Sequence, residues 1–192
     1  MLAVALFFGL ADSSSALAQQ VQASLPVMKA LTSPLVQPQF RQNAFGTAAP
    51  QAPVPLSTLV DTHGDGPLLD EESKCLATAV YFESMGEPLQ GQLAVAQVVI
   101  NRAQSGRYPT SWCGVVKQKA QFSFVRAGRF PRIDEGCQAW RKAQAIARIA
   151  AAKMAETLPT DVLWYHADYV APSWGRRLTR VEKIGAHIFY RA

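Results

Sequence analysis

The chain has no apolar run long enough to cross a bilayer: its longest near the start, Leu2 to Leu10, falls well short of the roughly 20 residues a spanning helix needs. Cysteine is scarce, with three in 192 residues, and no CxxC pair or His-rich spacing suggests zinc. Histidine is as scarce, and the two in the C-terminal part, His166 and His187, stand far apart in sequence, so a metal site would have to be assembled by the fold. Basic residues are present without the one-face spacing of a nucleic-acid-binding helix, and no aromatic RNA-binding motif accompanies them. These absences argue against a membrane span, a zinc site and a nucleic-acid partner.

Three regions differ in composition. Residues 1–18, MLAVALFFGLADSSSALA, join the short apolar run to a polar patch and the small-x-small ending Ala16-Leu17-Ala18, which reads as a secretory signal cleaved before Gln19. No Lys or Arg precedes the run, so either the amino terminus supplies the positive charge or the true start lies upstream. Residues 19–73 hold seven of the twelve prolines, with many Gln and Ala and no sustained period. Such a stretch buries too little apolar surface to offset its ordering entropy, and it reads as a flexible tether with at most a marginal helix near Val21 to Leu31. From Lys74 onward, 17 Lys and Arg face 8 Asp and Glu. A basic domain implies an anionic polymer or surface as partner, whether nucleic acid, anionic lipid or carboxylate-bearing peptidoglycan, beside the plainer reading of a solvated basic surface. In an oxidising compartment, Cys75, Cys113 and Cys137 imply one disulfide and one leftover thiol.

Periodicity places a helix over 72–84. Leu76, Ala79, Val80 and Glu83 follow the i, i+3, i+4, i+7 spacing of a single face, which is apolar except for the carboxylate. Gly86 reads as a left-handed stop, which puts Glu83 in the last turn, facing a cleft. Pro88 opens a second helix with Leu89, Leu93, Ala96 and Ile100 toward the core and Gly106 after its end. Thr110 or Ser111 caps a short helix from Trp112 to Gln118, and QFSFVRAGRF, residues 121–130, alternates as a small strand or hairpin would. A long Ala-rich helix is expected over 134–157, with Trp140, Ala143, Ala147 and Ala151 as its core stripe. The remainder, DVLWYHADYVAPSWGRRLTRVEKIGAHIFYR, concentrates aromatics, both histidines and three arginines without a helical period. Such a mixture suits short strands and loops that form a sugar-binding wall, although Trp164, Tyr165 and Phe189 also suit core closure, and the flanks of His187 mark it as a core histidine.

CLATAVYFESMGEPLQGQLAVAQVVINR, then CGVVKQ and QFSFV, then WYHADYVAPSW and IGAHIFYR, together resemble the SleB-like cell wall hydrolases, the catalytic domain of spore cortex-lytic enzymes, over residues 74–191. The resemblance implies an α+β fold, mainly helical and lysozyme-like with a small β-sheet, which cuts the glycan strands of peptidoglycan without a cofactor. It makes Glu83, in Glu83-Ser84-Met85-Gly86-Glu87, the catalytic glutamate. The pair Glu83-Ser84 also resembles the helix end of lytic transglycosylases more widely. Ser84 and Met85 replace the Ala-Arg common in the family, and no peptidoglycan-binding repeat precedes the domain, so a spore-specific role is not implied. The matching segments contain Cys75 and Cys113 but not Cys137, which favours a Cys75 to Cys113 bridge.

A glycosidic leaving group needs a proton, and a carboxyl donates one at neutral pH only if its pKa is raised, which an apolar helix face does. Ordinary glycosidases need a second carboxylate. Glu87, Asp134, Glu135, Asp161 and Asp168 are thin candidates, which favours a single-glutamate lytic transglycosylase forming 1,6-anhydromuramic ends. Ser84, Gln121, Ser123, Tyr165 and His166, with Trp174 and Tyr190 as stacking groups, are expected to hold the sugars. The competing readings are a non-catalytic peptidoglycan-binding module, a hydrolytic glycosidase, an amidase that would need zinc or an activated cysteine, and a purely structural Glu83 paired with Arg102 or Arg177. The expected location is periplasmic or extracellular, with an activating envelope protein left open as a partner.

Overall fold

A computed structural model describes residues 52–191. The expected signal segment and the marginal helix near Val21 to Leu31 lie outside the described residues. Among the described residues five α-helices, α1 (Leu56–His63), α2 (Glu71–Ser84), α3 (Leu89–Gln104), α4 (Trp112–Val116) and α5 (Gln138–Ala151), precede three strands, β1 (Val162–Ala167), β2 (Thr179–Ile184) and β3 (His187–Arg191). The strands form an antiparallel sheet in the order β1-β3-β2, with a 3-10 helix at Ser173–Arg177 between β1 and β2. The expected mainly helical α+β architecture is the one found.

α3 is the axis of the fold. Its residues from Gly91 to Ala103 are all buried, so it has no solvent face and must satisfy its polar side chains internally. Gln97 Oε1 accepts from the backbone N–H groups of Thr157 and Leu158 at 2.9 and 3.1 Å. Asn101 Nδ2 donates to the carbonyls of Pro159 and Val162, and Arg102 Nε donates to that of Leu163 at 2.7 Å. These side chains bind the 157–163 segment one after another, and so fix where β1 starts.

Asp70 caps α2 through Ser73 N–H, and Ser111 caps α4 through Gly114 N–H. Cys75 and Cys113 are bridged, tying α2 to α4, while Cys137 is free. The Cys137 thiol sulfur accepts from Trp140 N–H and so serves as the N-cap of α5.

Four expectations need correction. The stretch ending the presumed tether includes α1, which lies on α5: Val60 is buried, Asp65 pairs with Arg141, and Arg148 donates to the carbonyls of His63 and Pro67. Its four-residue apolar spacing was hidden among prolines. α5 is shorter than 134–157, because Asp134 to Gly136 form a turn and Lys153 takes a left-handed φ of 51°, which leaves Ala151 exposed. Residues 121–130 contain no strand; they are turns with a single bridge between Arg126 and Arg129, and their alternation reflects Phe122 and Phe124 inserting into the core. Gly86 does not adopt a left-handed conformation; α2 ends instead on a turn closed by Glu87 N–H donating to Ser84 O. Gly106 does, at φ 71°.

Candidate functional site

The apolar face that carries Glu83 exists as expected, since Leu76, Ala79 and Val80 are fully buried. Glu83 lies at the end of that face and is half-buried. Tyr165, on β1, donates its hydroxyl to Glu83 Oε2 at 3.3 Å. Among the described residues Glu83 has no ion-pair partner within 4.0 Å, so pairing with Arg102 or Arg177 is not its role. Arg102 acts from a distance. Its guanidinium is bound to Leu163 O and lies 5.1 Å from the Tyr108 ring centre.

Burial pushes the Glu83 carboxyl above its ordinary range, while the Tyr165 hydrogen bond and the Arg102 charge pull it back in part. Desolvation dominates, so the protonated form persists to higher pH than in water. Burial, helped by the Glu83 charge, holds the Tyr165 phenol well above its ordinary value, so at neutral pH it is a donor. The pair therefore combines a carboxyl biased toward its protonated form with a neutral hydroxyl donor.

The aromatic surroundings come from an unexpected quarter. Phe82 stacks on Phe124 with ring centres 4.8 Å apart, and Phe124 in turn meets Phe122 and Phe130. The loop carrying the exposed Gln121 and Ser123 is thus docked by its phenylalanines beside the residue preceding Glu83. The alternation in QFSFV was the available signal, since it separates two anchoring rings from two solvent-facing polar groups.

Ser84 does not fit its expected role. It is buried, and its hydroxyl donates to Val80 O at 2.8 Å, within its own helix. His166, Trp174 and Tyr190 are also separated from the Glu83–Tyr165 pair. Register sets Tyr165 opposite Phe189 on one face of the sheet, whereas Trp164 opposite Tyr190 and His166 opposite Ile188 share the other. On that second face the His166 ring stacks on Tyr190, and Trp174 meets both edge-on. His166 Nδ1 lies 2.8 Å from Ala167 O, an acceptor only, so Nδ1 donates, and Nε2 shares a hydrogen bond of 2.9 Å with the Tyr190 hydroxyl. Tyr190 is buried and its hydroxyl is engaged there.

Two clefts flank these elements. One of about 450 Å³ lies against His166, Asp168, Arg176 and Tyr190. Another, of about 930 Å³, is lined by Glu71, Lys74, Thr78, Lys117, Phe130 and Glu135, on a different face of α2 from Glu83. Neither includes Glu83. The other carboxylates weighed from the sequence are all engaged: Glu87 with Ala186 N–H, Asp134 with Gly136 N–H, Glu135 with Lys74, Asp161 with Arg191 and Asp168 with Lys183.

The sequence model of the family described as Cell Wall Hydrolase matches residues 86–190. The spore cortex-lytic enzyme of Bacillus subtilis (strain 168) is 32% identical over 129 residues, which is 65% of this chain and 39% of that protein. That of Oceanobacillus iheyensis is 31% identical over 117 residues, 59% of this chain and 39% of the relative. The match thus spans about two fifths of these relatives. Among solved structures, the catalytic domain of the germination-specific lytic transglycosylase SleB from Bacillus anthracis superposes with a TM-score of 0.53 at 29% identity, covering 66% of this chain and 98% of that one.

Proposed function

The chain belongs to the cell wall hydrolase family, and from that premise we propose that it cleaves the glycan strands of peptidoglycan as a lytic transglycosylase. The observation that carries the reading is the state of Glu83: a half-buried carboxyl at a helix end, raised by desolvation, hydrogen-bonded by Tyr165 and not neutralised by a contacting cation. A buried acid of this kind is suited to proton donation and poorly suited to structural duty.

The proposed reaction proceeds in two steps on one side chain. Glu83 gives its proton to the glycosidic oxygen as the bond to the muramic anomeric carbon breaks, leaving an oxocarbenium-like sugar and a carboxylate. That carboxylate takes the proton of the muramic 6-hydroxyl, whose oxygen attacks the anomeric carbon and closes the 1,6-anhydro ring. Glu83 ends protonated, as it began. Tyr165 holds the carboxyl in place and stabilises its ionised form between the steps. Gln121 and Ser123 are assigned to hydroxyls of the bound strand.

The engagement of the other carboxylates supports a route that needs only one. The basic domain suits a carboxylate-bearing polymer, and action on the wall puts the protein in the periplasm or outside the cell. Among the described residues no helix is long and apolar enough to cross a membrane. The experiment that tests the reading is Glu83→Gln in the full chain, assayed on purified sacculi: glycan release should vanish while binding persists. Retained release would remove Glu83 from the chemistry.

A further inference from the structure

Glu87 stands one turn beyond the proposed acid, and the reaction above does not use it. Its Oε2 accepts the Ala186 N–H at 2.8 Å, joining the α2–α3 turn to the β2–β3 turn, 99 residues on. The contact is tightly specified. Gly185 has φ 58°, and a Cβ there would collide with Glu87 Oε2. From the other side, Gln92 Nε2 donates to Glu87 O at 3.0 Å, and a Cβ in place of the Gly91 hydrogen would press on the Glu87 side chain.

The residue after Ala186 is His187, buried, with Nδ1 3.9 Å from Glu87 Oε2 and no hydrogen-bond partner among the described residues. Its ring stands edge-on to Tyr165, at 86° with centres 5.2 Å apart. Tyr165 is the group that reaches Glu83. Glu87, the β2–β3 turn, His187, Tyr165 and Glu83 therefore form one continuous line of contacts that leaves the Glu83-Ser84-Met85-Gly86-Glu87 segment and returns to it.

We propose that Glu87 is a positioning residue for the reaction: by pinning the β2–β3 turn it sets how deeply His187 holds the Tyr165 ring, and so where the Tyr165 hydroxyl meets Glu83. This rests on the reading of Glu83 as the acid. Glu87 is thereby distinguished from the second carboxylate of an ordinary glycosidase, since its reach matters and its charge does not. His187 contributes as a neutral ring. Burial lowers its pKa, opposed by Glu87 and by Asp168 after β1 and reinforced by His166 on β1.

Two substitutions separate reach from charge. Glu87→Gln keeps an oxygen at the same reach to accept the Ala186 N–H, and Glu87→Asp keeps the charge on a shorter stem. Measured in the full chain on solubilised glycan strands, the glutamine variant should keep kcat near that of the parent. The aspartate variant should lose about tenfold to hundredfold in kcat with little change in KM, as misplacement of a reacting group does. Its activity should also extend to higher pH. The Tyr165 hydrogen bond that lowers the Glu83 pKa is slackened, and the other charge facing Glu83 is Arg102 on α3. Gly185→Ala should behave as the aspartate variant does.

The proposal is overturned if Glu87→Gln is as inactive as Glu83→Gln, which would give Glu87 a charge or proton in the reaction. It is overturned equally if Glu87→Asp leaves kcat unchanged, or lowers it with the pH profile unmoved, which would make the contact a fold support alone. Retained release by Glu83→Gln would instead refute the parent reading, whatever the Glu87 variants do.

Discussion

The Tyr165 hydroxyl lies 3.3 Å from Glu83 Oε2, a contact between residues 82 positions apart that joins the sheet to the last turn of α2. It is made possible by α3, whose Gln97, Asn101 and Arg102 hold the 157–163 segment and thereby fix the starting point of β1.

Removing that hydroxyl should move the pH profile in a definite direction. Tyr165 lowers the Glu83 pKa against the larger effect of burial, so Tyr165→Phe raises it further. The protonated, donating form then persists to higher pH, and the alkaline limb of kcat/KM should shift upward. A loss of about tenfold to hundredfold in kcat/KM at the optimum is expected for one hydrogen bond to a charged group. A downward shift of the limb would contradict the assigned electrostatics.

Stability should depend on the same carboxyl. The folded pKa of Glu83 is raised above its unfolded value, so the native state binds its proton more tightly. Stability therefore falls as pH climbs from the unfolded pKa through the folded one, because ionisation is then resisted only by the fold. Glu83→Gln removes this penalty. The variant should gain on the parent in thermal melts as pH rises through that window, and show no such gain below the unfolded pKa.

How far the sequence discloses this arrangement varies with the range of the forces involved. The α2 face and its single acid are local, so helical periodicity exposes them directly. The positions of His166, Trp174 and Tyr190 relative to Glu83 depend on strand register, and β1 and β2 each carry a register shift against β3 that no local pattern announces. The same residues read as one aromatic wall in the chain and are divided between two faces in the fold. Ser84 misleads for a different reason: a small polar residue at a helix end serves a substrate or its own backbone equally well, and here the Val80 carbonyl takes it. Arg102 stands out in the sequence only as a partner for Glu83; its bond to Leu163 O spans 61 residues, and no local pattern announces it.

The Cys75–Cys113 bridge closes a sequence separation of 38 residues. Loop-closure entropy assigns about 2 to 4 kcal/mol to a bridge of this span. Reduction, or Cys75→Ser with Cys113→Ser, should lower the melting temperature by several degrees, and alkylation of the oxidised protein should label only Cys137. A mass map with Cys137 in a bridge would contradict this pairing.

α1 belongs with the folded domain, since Val60 is buried and Arg148 binds the His63 and Pro67 carbonyls. Trimming the chain to begin at residue 69, which removes α1 but keeps the Asp70 cap and all of α2, should therefore cost about 2 to 4 kcal/mol relative to a chain beginning at residue 52, from lost apolar burial and orphaned partners. Urea melts of the two forms measure the difference, and equal midpoints would return α1 to the tether.

The most direct test of the central claim is mass spectrometry of the muropeptides that the full chain releases from purified sacculi. The single-glutamate mechanism predicts 1,6-anhydromuramic ends, each product lighter by one water than its lysozyme-type counterpart, and none from Glu83→Gln. Products with reducing ends would contradict it, because they require a water nucleophile and a base that Glu83 alone does not supply.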